Sequence, residues 1–245
     1  MNKERGFIYV ATGQSYIDEA VISAQSYKAH MADIPIILYT DDVAAANSSQ
    51  VFDQLIELDD PAYGPSDKFF ALRNSPFEKT VFVDTDTWCL DQCTELFRML
   101  DRFEFAVAHA PVRAMNLVPK GVPRCFPEMN TGVLAFRKTP EVSRLFEQWA
   151  INYLDFKVRR NINRDQLSFR KVLYESNISL NILPPEYNLR ATFSYMVGGM
   201  APVKIIHARG ADLKRALRII TAGNEEMSLY PYAVNIERQN PTSSN

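Results

Sequence analysis

The chain contains 245 residues, with 27 basic and 29 acidic side chains that give a formal net charge of −2 at pH 7. This balance creates no general positive field, so we expect no nucleic-acid partner. Hydrophobic residues make up 47% and charged residues 23% of the chain, which is typical of globular proteins and excludes a disordered or fibrous one. We predict one domain over residues 1–239 and a polar, disordered tail over residues 240–245.

Several common sites are excluded by motifs that the chain lacks. Its nine glycines form neither G-x-G-x-x-G nor G-x-x-x-x-G-K-[ST], which excludes a Rossmann dinucleotide site and a P-loop. No run of about 18 apolar residues occurs, so we expect no membrane span. Cys89, Cys93 and Cys125 lack paired C-x-x-C spacing, which favours free thiols over a disulfide framework or a zinc site. Because no secretory signal pattern is visible, we expect a cytoplasmic protein.

The first half of the chain alternates short apolar runs with helical patterns. Phe7–Ala11 and Ile34–Tyr39 read as strands, and apolar residues recur at helical spacing between Ile17 and Met31. This order predicts a β–α–β unit. The alternation continues with two strands and two helices at Leu55–Leu58, Lys68–Asn74, Thr80–Val83 and Leu96–Phe103. It indicates a mostly parallel central sheet flanked by helices.

The second half continues the same scheme around one long irregular segment, residues 111–129. An unbroken apolar stripe from Val142 to Leu154 predicts the clearest helix of the sequence. The other predicted strands and helices are Phe105–Ala108, Val133–Phe136, Asp165–Glu175, Ile178–Leu183, Val203–His207 and a last helix from Leu213. Residues 111–129, with Arg113, and residues 187–202, with Phe193, Tyr195 and Gly198-Gly199, are expected to select an acceptor or close over a ligand.

Two carboxylates stand directly after an apolar strand. Asp84 and Asp86 follow Thr80–Val83 at positions i and i+2, so in extended chain both side chains point to one side, with Cα atoms ~6.6 Å apart. Two like charges so close resist ionising together unless a cation neutralises them. Because open α/β sheets bind ligands at the carboxyl ends of their strands, we predict a divalent metal there. A solvated strand end is the alternative.

A second apolar strand ends in a histidine, His207. Alternation along Val203–His207 puts this imidazole on the same face as Val203 and Ile205. Oxygen ligands combined with one imidazole suit Mn²⁺ better than Mg²⁺, although Mg²⁺ stays open. A histidine buried in the core for structural reasons is the alternative for His207.

The order of several short motifs resembles the metal-dependent, sugar-nucleotide glycosyltransferases of the GT-A fold, and is most similar to the retaining enzymes of glycosyltransferase family eight. The resemblance spans about residues 7–214. It is carried by Ala11-Thr-Gly13, Ser66-Asp-Lys68, Asp84-Thr-Asp86, Asn130-Thr-Gly132-Val-Leu, Asp165-Gln166 and His207-Ala-Arg-Gly210. The resemblance implies a single-domain GT-A fold that transfers a sugar from a nucleoside diphosphate, UDP above all, to a glycan or other hydroxyl acceptor.

The resemblance also implies roles for individual residues. Asp84 and Asp86 would hold Mn²⁺ and the ribose and diphosphate of the donor, and His207 would be the third protein ligand of the ion. The nucleoside would lie against Thr12, Gly13 and Tyr16, and the donor phosphates or sugar against Lys68, Asn130, Gly132 and Gly210. Asp165 and Gln166 would stand beside the transferred sugar as catalytic residues.

One position departs from the family pattern. The family places a lysine six residues after its metal-binding histidine, followed by Pro-Trp, whereas here Lys214 lies seven residues after His207 and Arg215-Ala216 follow. The cation expected at the diphosphate is therefore Lys214, Arg209 or neither.

Two other functions remain open from the sequence. The run Phe82-Val-Asp84-Thr-Asp86-Thr87 also matches the D-x-D-x-T motif of haloacid dehalogenase-like phosphohydrolases, in which the first aspartate is a nucleophile. Against it, that motif normally follows the first strand, and no later G-D-x-x-x-D occurs. A catalytically silent module that binds a sugar nucleotide or a glycan would keep the pocket and lack turnover.

Overall fold

The computed structural model describes residues 4–111, 118–191 and 202–222, with no side-chain description for residues 219–222. The elements of the first half are β1 (Arg5–Ala11), α1 (Gln14–His30), β2 (Ile36–Thr40), α2 (Val43–Asn47), β3 (Gln54–Glu57), α3 (Lys68–Arg73), β4 (Lys79–Val83), β5 (Thr87–Cys89) and α4 (Glu95–Met99). Those of the second half are β6 (Phe105–His109), β7 (Met129–Arg137), α5 (Pro140–Arg160), α6 (Asp165–Glu175), β8 (Leu180–Leu183), a 3₁₀ turn (Pro185–Tyr187), β9 (Leu189–Arg190), β10 (Ile205–His207) and α7 (Gly210–Ala222).

A seven-stranded sheet with the order β3-β2-β1-β4-β7-β6-β8 forms the centre of the fold. Its pairs are parallel except that β7 runs antiparallel to both β4 and β6. The predicted mostly parallel sheet flanked by helices is therefore confirmed. Because β7 is reversed, its first residues lie at the same edge as the carboxyl ends of β1 and β4. That edge carries the site described below.

Helices cover both faces of this sheet, and each face has its own apolar core. One core packs residues such as Tyr9 and Val81 against α1 and α4, and the other packs Ile8 and Phe82 against α3, α5 and α6. Adjacent residues of one strand thus enter different cores, which is why the central strands read as unbroken apolar runs.

Helix α5 confirms the clearest periodic pattern in the sequence. Thr139 accepts a hydrogen bond from Val142 N at 3.2 Å, which caps the first turn, and Pro140 stands where its missing N–H costs nothing. The helix ends at Asn161, which adopts a left-handed conformation with φ 52°. The buried side chains are Val142, Leu145, Phe146, Trp149 and Tyr153 of the predicted stripe and Phe156 beyond it, whereas Leu154, the last residue of the stripe, is 53% exposed.

A second, three-stranded sheet with the order β5-β10-β9 was not predicted. Its strands have only two or three residues, too few to leave a periodic pattern. β10 begins at Ile205, two residues later than predicted, and pairs antiparallel with β5, so His207 lies opposite Thr87. Ala208 N donates to Asp86 O at 2.9 Å. This pairing brings the histidine to the aspartate pair.

Several predicted features lie outside the described residues, namely Arg113, Phe193, Tyr195, Gly198-Gly199 and the tail at 240–245. Residues 118–128 are described as irregular backbone with turns at Pro119–Val122 and Pro123–Phe126. Within the described ranges, none of the helices has the length and apolar character required to cross a bilayer.

Candidate active site

A cavity of about 620 Å³ opens at the carboxyl edge of the large sheet, beside the small sheet. Its volume suits a ligand of the size of a small cofactor. Ten of the predicted site residues line it: Thr12, Tyr16, Lys68, Asp84, Asp86, Asn130, Gly132, Asp165, Gln166 and His207. Gly13, Gly210 and Lys214, which were also predicted to bind the donor, are absent from this lining. Lys214 is exposed on α7.

Asp84, Asp86 and His207 converge at the wall of the cavity. His207 Nε2 lies 3.1 Å from Asp86 Oδ1 and 3.8 Å from Asp84 Oδ2. One ligand atom from each residue lies within 4.8 Å of the others, so the three can address one ion. Two carboxylates and one imidazole are a donor set suited to Mn²⁺ or a related divalent cation.

Gly132 makes room for this convergence. A Cβ built on Gly132 would lie 2.0 Å from His207 Cε1 and 2.9 Å from Asp84 Oδ2, closer than atoms can approach. The Gly132 carbonyl also accepts from Asp84 N at 2.8 Å, which fixes the end of β4 against β7. The residues present therefore fit a divalent ion, because the fold leaves out a side chain where the ligands meet. The sequence interpretation had assigned Gly132 to the donor sugar.

A chain of hydrogen bonds sets the orientation of the His207 ring. Nδ1 donates to Asn188 Oδ1 at 2.8 Å, and Asn188 Nδ2 donates to Asn130 Oδ1 at 2.8 Å. Asn130 Oδ1 also accepts from Gly132 N at 3.0 Å. Because Nδ1 is used as the donor to Asn188, Nε2 is the ring nitrogen that faces the carboxylates and is available to bind a metal ion.

Lys68 joins the two halves of the site. Its Nζ lies 2.8 Å from Asp165 Oδ2 and 3.7 Å from Asp84 Oδ1. Burial of the Lys68 ammonium opposes its charge, but Asp165 and Asp84 outweigh this and raise the pKa of Lys68. Thr131 Oγ1 donates to the same Asp165 oxygen at 2.8 Å. Burial would raise the pKa of Asp165, but Lys68 and Thr131 outweigh burial and lower it, so this carboxylate is ionised and fixed.

The two aspartates of the pair differ in acidity. Burial, helped by the nearby Asp86 and Asp165 charges, raises the pKa of Asp84 despite Lys68 and His207. Burial acts in the same direction on Asp86, but contact with the His207 ring and the charges of Arg209 and Arg190 lower the pKa of that carboxyl well below its usual range. The ionised Asp84 carboxylate is therefore unfavourable in the metal-free site, and a cation bound beside it would offset that cost.

Exposed tyrosine rings and the turn at Thr12-Gly13 also lie at the cavity. Thr12 Oγ1 donates to Asp67 Oδ2 at 2.9 Å, and Gly13, with φ 86°, donates its N–H to Asp41 Oδ1 at 2.9 Å. Tyr16 and Tyr63 are 44% and 65% exposed, and Arg209 Cζ lies over the Tyr16 ring at 5.2 Å from its centroid, so the remaining surface of the two rings is open to a ligand. Sequence reasoning missed Tyr63, which lies in an irregular segment without a motif.

Two arginines flank the aspartate pair. Arg209 holds Glu19 through two hydrogen bonds of 2.8 and 2.9 Å, and its Nη2 lies 3.9 Å from Asp86 Oδ2. Arg190 also lines the cavity, and its Nη1 lies 2.6 Å from His207 Nε2. No sequence pattern indicates a role for Arg190, because this residue lies in the two-residue strand β9.

Comparison with known proteins addresses the fold. No protein-family model matches the chain. A search of solved structures finds the glycosyltransferase GlyE of Streptococcus pneumoniae, with a TM-score of 0.60 and 18% identity over 85% of this chain and 56% of that one. It also finds the galactosyltransferase LgtC, solved with donor and acceptor sugar analogues, with a TM-score of 0.55 and 11% identity over 84% of this chain and 87% of that one.

The chain has the GT-A fold. Among curated proteins, human Glycogenin-2 is 28% identical over 172 residues, which are 62% of this chain and 31% of the relative. The chain therefore spans under a third of the length of that relative. Together these likenesses confirm the resemblance to GT-A glycosyltransferases of the family-eight type that the motifs indicated.

The GT-A fold also bears on the phosphohydrolase alternative. That alternative places the D-x-D motif after the first strand of the sheet, whereas Asp84 follows the fourth strand in the chain, β4. The position of Asp84 in this GT-A fold argues against a haloacid dehalogenase-like nucleophile.

Proposed function

We propose that the chain is a glycosyltransferase that moves a sugar from a nucleoside diphosphate donor, a UDP-sugar, to the hydroxyl of a glycan or other acceptor. One observation carries the proposal: Asp84, Asp86 and His207 converge in a cavity of about 620 Å³ at the carboxyl edge of a GT-A sheet. The names of the relatives, two glycosyltransferases and Glycogenin-2, support the same reaction class.

The proposal includes a divalent ion, Mn²⁺ rather than Mg²⁺ because one ligand is an imidazole. Held by Asp84, Asp86 and His207, such an ion would act as a Lewis acid that stabilises the negative charge of the leaving diphosphate. The chain contributes the fixed geometry. Asn188 holds the His207 ring, and Gly132 keeps the ligand atoms close together.

Asp165 and Gln166 are proposed to orient the transferred sugar. Lys68 and Thr131 keep the Asp165 carboxylate ionised and immobile, so it is suited to accept hydrogen bonds from sugar hydroxyls. An ionised carboxylate that is paired with Lys68 is a weak nucleophile. This supports a reaction that retains the configuration of the sugar without a strong nucleophile from the protein. The Gln166 amide lines the same part of the cavity and is the candidate for the reacting face.

The nucleoside is proposed to bind against Thr12 and the ring of Tyr16. Gly13 supports this end indirectly, since its backbone N–H fixes the turn to Asp41. The exposed Tyr63 ring offers a second apolar face for a planar base.

The first test measures binding of UDP by isothermal titration calorimetry with and without Mn²⁺. We expect UDP to bind in Mn²⁺, and Asp86→Asn and His207→Gln to weaken that binding by at least roughly tenfold, as loss of groups around a metal does. Asp101→Asn, which removes an exposed carboxylate paired with Lys79, is the matched control and should bind as the wild type does.

The second test measures turnover with UDP-sugars and Mn²⁺, followed as release of UDP. Release stopped by EDTA supports the proposal, and water can replace the acceptor in a slow reaction. Tight binding of UDP-sugar and Mn²⁺ without any release across the common donors and acceptors would instead indicate a silent binding module. Cleavage of p-nitrophenyl phosphate would indicate the phosphohydrolase.

A further inference from the structure

Glu19 on α1 joins segments that border the cavity, although no sequence motif indicates a role for it. Its Oε1 accepts from Arg209 Nε at 2.8 Å, and its Oε2 accepts from Arg209 Nη2 at 2.9 Å and from Thr85 Oγ1 at 2.5 Å. Thr85 lies between Asp84 and Asp86, and Arg209 follows the end of β10 by two residues. One carboxylate therefore holds a guanidinium beside the aspartate pair.

Arg209 lies between the places proposed for the two ends of the nucleotide. Its Nη2 is 3.9 Å from Asp86 Oδ2, and its Cζ lies over the Tyr16 ring at 5.2 Å from the centroid. Asp86 is a proposed ligand of the ion that holds the diphosphate, and Tyr16 is proposed to contact the nucleoside. A nucleoside diphosphate that reaches from one to the other therefore passes the Arg209 guanidinium, which lines the cavity.

The way in which Glu19 holds Arg209 leaves hydrogen-bond donors for such a ligand. A guanidinium has five N–H groups, and the two bonds to Glu19 use one on Nε and one on Nη2. The second N–H of Nη2 and both N–H groups of Nη1 are left for another acceptor, and a planar guanidinium suits the oxygens of a phosphate. Because Glu19 holds the side chain before a ligand binds, less rotamer freedom is lost on binding.

We propose that Arg209 binds the diphosphate of the donor and that Glu19 is the residue that positions Arg209 for this contact. This inference rests on the proposed function. Glu19 is absent from the lining of the cavity, whereas Arg209 is part of it. Glu19 therefore acts on the nucleotide through Arg209 rather than by touching it.

Two lysines are less suited to this contact. Lys68 Nζ lies 2.8 Å from Asp165 Oδ2 and 3.7 Å from Asp84 Oδ1, so its charge is used by two carboxylates of the site. Lys214 is exposed on α7 and is absent from the lining of the cavity. Arg209 combines a place in the cavity wall with a fixed side chain.

The test compares Arg209→Gln with the wild type for two ligands that differ only in the diphosphate. UDP affinity is measured by calorimetry in saturating Mn²⁺, and uridine affinity by ligand-observed nuclear magnetic resonance. We expect Arg209→Gln to bind UDP about tenfold more weakly, the loss of roughly one charge-assisted hydrogen bond, and uridine affinity to change by less than about threefold. Unchanged UDP affinity would overturn the proposal. Equal losses for the two ligands would overturn it also, because Arg209 would then act only through the Tyr16 ring.

Arg215→Gln is the matched control, because it removes an equal charge from α7, where Arg215 Nη2 lies 3.8 Å from Asp212 Oδ1. It should bind UDP as the wild type does. An equal loss in Arg215→Gln would overturn the proposal, because net charge alone would then explain the effect. Lys214→Gln is the competing variant, and a tenfold loss there with unchanged binding in Arg209→Gln would assign the diphosphate contact to Lys214 instead.

Glu19→Gln tests the positioning role separately, because it keeps the size of the side chain and removes the charge that holds Arg209. UDP affinity should fall about fivefold in Glu19→Gln, and this loss should vanish when Arg209 is already replaced by Gln. A loss that persists in the double variant would show that Glu19 acts through Thr85 and the aspartates, and no loss at all would also overturn its role.

The wild type separates failure of this inference from failure of the proposed function. A wild type that binds no UDP in Mn²⁺ would contradict the proposed function, and this inference with it. Wild-type binding of UDP that Arg209→Gln leaves unchanged contradicts only the role of Arg209. Thermal unfolding of each variant, recorded in parallel, shows whether a loss of UDP binding is a loss of fold, and Glu19→Gln then tests the contact with Arg209 itself intact.

Discussion

At the scale of single residues, the site depends on Gly132, which has no side chain. The backbone of Gly132 passes so close to the ligands that a Cβ would lie 2.6 Å from His207 Nδ1 and 2.9 Å from Asp84 Oδ2. A methyl group there must push the imidazole or the carboxylate aside. Gly132 therefore positions both groups through the space it leaves free.

Gly132→Ala should weaken Mn²⁺ affinity by at least roughly tenfold, because displaced ligand atoms no longer meet at one point. The measurement is Mn²⁺ binding by electron paramagnetic resonance, with thermal unfolding recorded in parallel. Gly6→Ala is the matched control: its Cβ would lie 2.2 Å from the buried Phe77 ring, far from the cavity. It should lower stability by ~1–3 kcal/mol through overpacking and leave Mn²⁺ affinity unchanged. Equal metal affinities in the two variants would contradict the role given to Gly132.

The sequence predicted the metal-binding residues of this site better than the residues that contact and orient them. Asp84, Asp86 and His207 each stand at the end of an apolar strand, a position that periodicity can identify. Asn188 precedes the two-residue strand β9, and Arg190 is its last residue. So short a strand has no pattern that distinguishes a side chain supporting the site from a solvated one. Their partners become apparent only when β10 is paired with β9 and β5.

At the scale of elements, helix α6 connects the site to the irregular segment 118–128. Asp165 starts the helix inside the cavity, and Trp149 Nε1 donates to the Asp165 carbonyl at 2.9 Å and so ties α6 to α5. One turn further on, Arg170 is only 1% exposed, and its Nη2 donates to three carbonyls of that segment, those of Pro123, Arg124 and Phe126. The packed helix thereby fixes an irregular segment whose last residue, Glu128, lines the cavity.

Arg170→Met should release this segment while the helix itself persists. Loss of hydrogen bonds from a buried charged group costs about 2 kcal/mol, and the opening should be local. Limited trypsin digestion should cut at Lys120 and Arg124 at least roughly tenfold faster than in the wild type. Lys171→Met also removes one cation from α6, but Lys171 pairs only with Glu175 one turn on in the described structure, so its digestion should match the wild type. Unchanged cleavage in Arg170→Met would show that the segment is held by other contacts.

At the scale of the whole molecule, the parallel direction of most strands could be predicted from the sequence, but the antiparallel direction of β7 could not. Apolar runs alternating with helices indicate parallel strands, but no sequence pattern between β6 and β7 indicates that β7 runs the other way. This reversal carries Asn130 and Gly132 to the edge where β4 delivers Asp84. The motif order of a known family predicted that Asn130 and Gly132 lie near Asp84, whereas periodicity alone could not.

The charges of Asp84 and Asp165 should also affect how the free energy of unfolding depends on pH. The pKa of Asp84 is raised above its ordinary 3.8 in the folded chain, so ionised Asp84 destabilises the metal-free fold at neutral pH. The pKa of Asp165 is lowered, so ionised Asp165 stabilises it. In EDTA at neutral pH, Asp84→Asn should therefore raise the free energy of unfolding and Asp165→Asn should reduce it, as measured by urea denaturation.

Acidification distinguishes these two effects from simple changes in packing. As the pH falls toward 3.8, Asp84 takes up a proton in the folded chain before it does so in the unfolded one, so the advantage of Asp84→Asn shrinks and is gone below that value. The disadvantage of Asp165→Asn should persist down to 3.8 and fade only below it, because the folded carboxylate holds its charge longer than the unfolded one. Differences that stay constant across this range would show that the two amides act through shape rather than charge. Loss of stability in Asp84→Asn at neutral pH would contradict the destabilising effect assigned to ionised Asp84 in the metal-free chain. A site that binds a cation should be more stable without the cation once one of its negative charges is removed.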